Sequence, residues 1–142
     1  MDFHWKVDSS GLRRFRQQWP DKLDQFGRAV STEIVGDVKI SMTLSPADTS
    51  KSYVRGVNRV HHPSFPGNPP RVDMGTLRAS IRWIPDGKLR WRIGDGVDYG
   101  ADLEFGTPTI AARPWLTPVF MKWIIADYKA YALAFPWEAG LG

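Results

Sequence analysis

The residues able to do chemistry are few and poorly grouped. His4, His61 and His62 are the only histidines. Adjacent residues of an extended chain point to opposite sides, so His61 and His62 are badly placed to hold one metal ion together. The His-Glu-x-x-His spacing of a zinc hydrolase does not occur. There is no cysteine, which removes thiolate ligands, thiol nucleophiles and disulfides and fits a reducing compartment. A serine nucleophile needs a base and a strained turn, and no Gly-x-Ser-x-Gly is present. Gly94-Asp95-Gly96 is not a dinucleotide-binding loop, because Tyr99 stands where the third glycine would be. The Gly-x-x-x-x-Gly-Lys-Ser/Thr phosphate loop is missing too. The carboxylate pairs Asp95/Asp98 and Asp102/Glu104 suit turns and helix caps better than acid–base catalysis. The expectation is a non-enzymatic protein with no catalytic residue, no metal site and no cofactor.

Charge is arranged more suggestively. Leu77, Ala79, Ile81 and Trp83 alternate with Arg78, Ser80 and Arg82, and Leu89, Trp91 and Ile93 alternate with Lys88, Arg90 and Arg92. Pro85-Asp86-Gly87 between them is a turn signal, so 76–94 reads as a hairpin. Its polar face carries Arg78, Arg82, Lys88, Arg90 and Arg92. That face is either a solvated outer surface or a patch that meets phosphate or an acidic partner. Glu104 and Arg113 flank the loop 106–112, and a pair across it would pin it. Trp115 is either a core anchor or an interface plug.

These residues need elements to position them. Phe3, Trp5 and Val7 alternate with polar neighbours, as in a strand, and open an N-terminal arm over 1–19 in which Leu12 to Trp19 suits a short helix. Pro20 is expected to open the main helix, with Asp21 and Asp24 at the positive end of its dipole. Leu23, Phe26, Val30, Ile34, Val38 and Ser41 write one apolar stripe over about 20–43. Gly27 and Gly36 on this helix are either tolerated or mark the close approach of another element. Ser45-Pro46 stops the helix. Residues 47–72, with Pro66-Gly67-Asn68-Pro69-Pro70, read as a long irregular projecting loop that orders on a neighbour. Asp98 to Phe105 forms a short helix or turn, with Gly106 as a left-handed cap. A last helix opens with Thr117 as N-cap, Pro118 in its first turn and Leu116 stapled onto Met121. It carries aromatics on more than one face, Pro136 ends it, and 136–142 are a short tail. The fold expected is α+β: an antiparallel sheet, including the 76–94 hairpin, packed against a long N-terminal helix and a C-terminal helix.

The chain has 142 residues, which suits a single domain spanning 1–142. Seven Trp, seven Phe and four Tyr exceed what so small an interior absorbs easily, which makes some of them interface candidates. The net charge of +4 permits contact with nucleic acid without requiring it. No apolar run reaches the length of a membrane span and the first residues do not look like a secretory signal, so a soluble protein is expected.

Three segments, in order, resemble a known family. They are Pro66-Gly67-Asn68-Pro69-Pro70 followed by Met74-Gly75-Thr76-Leu77-Arg78-Ala79-Ser80-Ile81, then Tyr99-Gly100-Ala101-Asp102-Leu103-Glu104-Phe105-Gly106-Thr107, then Ala112-Arg113-Pro114-Trp115-Leu116-Thr117-Pro118. Together they resemble the tail-completion, or head–tail joining, proteins of the neck of long-tailed bacteriophages, over roughly residues 20–130. Met74 stands where that family usually has Thr, Gly100 where it has Ala, and Trp115 where it has Phe. The segment 47–65 is longer than is usual there. The resemblance implies an α+β structural virion protein that forms a ring, often a hexamer, between the head connector and the tail tube or tail terminator, with DNA passing non-specifically through the lumen. It implies assembly in the host bacterial cytoplasm and no membrane partner. Candidate subunit contacts are Tyr53 and Phe65 in the loop, Tyr99, Glu104, Phe105, Arg113 and Trp115 in the motifs, and Trp123 and Tyr128 on the last helix. The five basic residues of the hairpin are candidates for the DNA lumen or an acidic partner. The competing expectation is a small nucleic-acid-binding module that uses the same basic face.

Overall fold

The computed structural model describes residues 10–137, with side chains from Gln17 onward. The chain is α+β, with a long N-terminal helix, two small antiparallel sheets and a C-terminal helix. The strand expected from Phe3, Trp5 and Val7 lies outside the described residues, as do the last five residues of the tail.

Helix α1 (Ser10–Leu44) has 35 residues, so it spans on the order of 50 Å. It starts well before Pro20, which therefore lies inside the helix rather than at its first position. An interior proline loses one backbone bond and costs about 3 kcal/mol. The turn that contains it is held from outside, because Trp19 stacks on Trp137 with centroids 5.5 Å apart. Phe26, Ile34, Val38 and Met42 recur on one face and are buried, as a period near 3.6 requires. The helix ends before Ser45-Pro46, as the sequence indicates.

Residues 47–72 are not structureless. Strand β1 (Tyr53–Arg55) pairs antiparallel with β2 (Arg59–His61). Gly56 and Asn58 adopt positive φ in the turn between them, which those two residue types permit at low cost. A bridge between Ala47 and Ser64 closes the base of this excursion, and the Asp48 amide donates to the Pro63 carbonyl at 2.7 Å.

The hairpin predicted over 76–94 is shorter than expected. Thr76–Ser80 form helix α2, entered through Gly75 at φ 83°. Leu77 and Ile81 fit a spacing of four as well as a spacing of two, and both are buried. The period alone could not separate the two forms over so few residues. Strands β3 (Arg82–Pro85) and β4 (Trp91–Gly94) then pair antiparallel, with Trp83 opposite Ile93 and Ile84 opposite Arg92. Trp83, Trp91 and Ile93 turn toward α1. The Trp83 indole N–H donates to Thr32 Oγ1 at 3.0 Å, and Trp91 covers Gly27 so closely that a Cβ there would lie 2.1 Å from its ring. Gly27 is thus a point of close approach, whereas Gly36 has open space around it.

Helix α3 (Gly100–Phe105) is short and ends at Gly106, whose φ is 77°. The C-terminal helix runs as α4 (Thr117–Lys122), a π-helical turn (Trp123–Asp127) and α5 (Tyr128–Ala134). Phe135 leaves it in an extended conformation ahead of Pro136. The core joins Ile34, Val38 and Met42 of α1 to Leu77, Ile81, Trp115, Val119 and Trp123. A second aromatic group, Phe26 with Tyr128, Tyr131, Phe135 and Trp137, ties the chain's C-terminal end to α1. Part of the aromatic surplus is therefore spent inside the chain.

Candidate functional site

The segments that carry the family resemblance come together in space. Glu104, near the end of α3, is 8% exposed. Its carboxylate accepts the backbone N–H groups of Trp115 at 2.7 Å and of Leu116 and Thr117 at 2.9 Å each. It thereby caps the C-terminal helix from another element, at the end where the dipole favours an anion. Burial pushes this carboxyl toward protonation, but hydrogen bonds from the Leu116 N–H, the Thr117 side chain and N–H, and the Trp115 N–H outweigh it and hold the pKa below the ordinary glutamate value. The expected cap, Thr117, is instead the first residue of the helix, and Leu116 occupies the cap position with no side-chain capping bond. Leu116 packs on the core while Met121 is exposed.

The expected Glu104–Arg113 pair is not formed. Arg113 Nε donates to the Ser64 carbonyl at 3.1 Å, and its backbone N–H donates to Leu103 O at 2.6 Å. The loop between them is pinned by these bonds and by the Gly67 N–H to Ala112 O bond of 2.9 Å. The Trp115 indole donates to Gly100 O at 3.0 Å and the Trp123 indole to Asp37 Oδ2 at 2.8 Å. Glu104, Trp115 and Trp123, all named as contact candidates, are buried within the chain and hold it together. Tyr53, Phe65, Tyr99, Phe105 and Tyr128 are exposed, and Arg113 is half-buried.

The five basic residues do not share one face. Arg78 lies on α2, with Nε donating to Lys39 O at 3.3 Å. Lys88 lies in the turn between β3 and β4. Arg92 pairs with Asp86 at 3.0 Å and Arg90 donates to the Asp86 carbonyl at 2.8 Å. Arg82 and Arg92 remain together on the outer side of the hairpin, beside Ile84. The histidine rings go to different neighbours, His61 toward Asp73 at 3.6 Å and His62 to Lys51 O at 2.8 Å.

Two surfaces remain as candidate sites. One is the outer side of the C-terminal helix. Ile125 is 76% exposed and Leu133 78%, with Met121 and Ile124 also exposed, while Tyr128 is half in solvent and packs its ring edge on Phe26. Leu44 at the end of α1 and Phe105 at the end of α3 are likewise more than three-quarters or about three-quarters in solvent. The other is a cleft of about 580 Å³ between the β1–β2 hairpin, the segment that leads into α2, and Tyr99 of the α3 approach. Arg55, Arg71 and Asp73 of this cleft were not foreseen. The signal existed, since Gly56-Val57-Asn58 between two runs rich in β-branched and aromatic residues marks a hairpin.

Among the described residues no group of three His, Asp or Glu could hold a metal ion, and no helix is long and apolar enough to cross a membrane. Comparison with protein-family models, with curated proteins and with solved structures finds no match to this chain.

Proposed function

We propose that this chain is a structural subunit of the bacteriophage neck, which closes into a ring, completes the tail and joins it to the head connector, with DNA passing through the lumen. The observation that carries the reading is the outward apolar side of the C-terminal helix. A chain of this size leaves Met121, Ile124, Ile125 and Leu133 exposed on one helix, and exposed apolar side chains grouped in this way mark a protein contact. The three ordered motifs of the sequence supply the choice of neck over other assemblies. Rings need two different complementary surfaces on each subunit, and the β1–β2 hairpin with the exposed Phe65 offers the second. Its neighbours are copies of itself, the head connector or adaptor, and the tail tube or terminator, in a virion assembled in the bacterial cytoplasm. The outer hairpin edge with Arg82 and Arg92 suits non-specific contact with DNA in the lumen.

A nucleic-acid-binding module is the weaker reading, because Asp86 offsets Arg90 and Arg92 while Arg78 and Lys88 lie off the strands. Native mass spectrometry of the purified chain, alone and with connector and tail-tube proteins, separates the two. A closed ring, formed alone or on a partner, is expected. A chain that stays monomeric with every neck partner and binds duplex DNA with a steep salt dependence would sink the proposal.

A further inference from the structure

The cleft behind the β1–β2 hairpin has a composition that the ring does not explain. Its floor is aliphatic, formed by Met42, Val72, Leu77 and Leu103, with Tyr53 and Tyr99 at the lips. Its charge is one-sided. Arg55, Arg71, Arg78 and Arg113 line it against a single carboxylate, Asp73. Asp73 is already engaged, with Arg55 Nε at 3.2 Å and with Arg59. Arg71, Arg78 and Arg113 have no carboxylate within ion-pair distance among the described residues. Ser64, also in the wall, is fully buried, and its Oγ has no hydrogen-bond partner among the described residues.

We infer that this cleft binds a short acidic peptide segment of a partner protein, with an aliphatic side chain seated on the floor and carboxylates on the arginines. Guanidinium groups fit carboxylates in two-point geometry, and a volume of this order accepts a few side chains. A DNA duplex presents its phosphates on a broad convex surface and does not enter such a cleft. A single strand asks for successive aromatic platforms along its path, whereas here two tyrosines stand at the lips of an aliphatic floor. This inference does not depend on ring formation, since one copy carries the whole cleft.

The test uses the full chain and a fluorescein-labelled peptide of alternating Glu, Asp and Leu at physiological salt, read by fluorescence anisotropy. Binding on the order of micromolar is expected, and Arg71→Glu and Thr76→Glu at the cleft should each weaken it about tenfold or more. Both variants should keep the thermal midpoint of the parent chain. Nuclear magnetic resonance on the unaltered chain should place the peptide beside Tyr53 and Tyr99. Absence of binding up to millimolar peptide overturns the inference. So does a footprint away from those two tyrosines, or tighter binding of an oligothymidine to the same place, which would make the ligand a single-stranded nucleic acid.

Discussion

Glu104 shows how one side chain can set the start of a distant helix. Three backbone N–H groups converge on its carboxylate, and a buried acceptor of that kind is worth far more than an exposed ion pair. Glu104→Ala should lower stability by about 2–3 kcal/mol, read from chemical denaturation, with Glu104→Gln less severe. The pH dependence follows from the direction of the shift. The folded carboxyl sits below its ordinary value of 4.5, so its contribution is complete above that value and is lost as pH falls through the depressed folded value. The stability gap between the parent chain and Glu104→Gln should be constant near neutrality and shrink on acidification. A gap that widens toward low pH would refute the cap. Two glycines on α1 make a second contrast. Gly27→Ala drives a methyl into the Trp91 ring and should cost about 1–3 kcal/mol. Gly36→Ala meets nothing and should stabilise by up to about 1 kcal/mol through helix propensity. Thermal midpoints of the two variants should move in opposite directions.

At the level of elements, the sequence was most legible where a pattern ran long. The apolar stripe of α1, its end at Ser45-Pro46, the Pro85-Asp86-Gly87 turn and the Gly106 stop were all readable from residue type. Short segments were not, because Thr76–Ser80 offers too few residues to tell a spacing of two from a spacing of four. Pro20 misled for a different reason: tertiary stacking of Trp19 on Trp137 holds a turn that local preference would break. The candidate contacts were separable only in space, since burial of Glu104, Trp115 and Trp123 depends on partners far along the chain. The two-faced C-terminal helix was legible, because its aromatic and aliphatic residues spread beyond one stripe. Its outward side gives a direct test. Ile125→Lys with Leu133→Lys should leave the thermal midpoint within a few degrees and abolish higher-mass species in native mass spectrometry. Surface changes away from buried partners usually shift stability by about 0.5 kcal/mol or less, so loss of the fold itself would show that this face is packed.

For the molecule as a whole, the proposed ring assigns different work to different surfaces. In that proposal the apolar flank seats neighbours and the outer hairpin edge faces nucleic acid. Arg90→Glu with Arg92→Glu should leave ring mass unchanged while reducing DNA retention in assembled particles, because it replaces attraction to phosphate with repulsion. The paired Asp86 adds a structural cost, since both arginines lean on it, and circular dichroism of the variant separates that cost from the effect on packaging. Retention equal to that of the parent particle would move the hairpin edge away from the lumen.

The π-helical turn has a consequence for how the chain can vary in length. The Tyr128 N–H reaches back to Trp123 O, one residue farther than an ordinary helical bond, so the turn stores an extra residue. Trp123 and Tyr131 nevertheless meet edge to face at 5.5 Å. In a regular helix, eight positions apart would leave them about 80° out of line, whereas seven positions leave roughly 20°. Removing Ile125 should therefore yield an uninterrupted spiral with both rings still turned inward. The same excision two turns later, within 130–134, has no stored slack to draw on and should swing Phe135 and Trp137 off their seat. Length is negotiable at one address on this rod and fixed at the next.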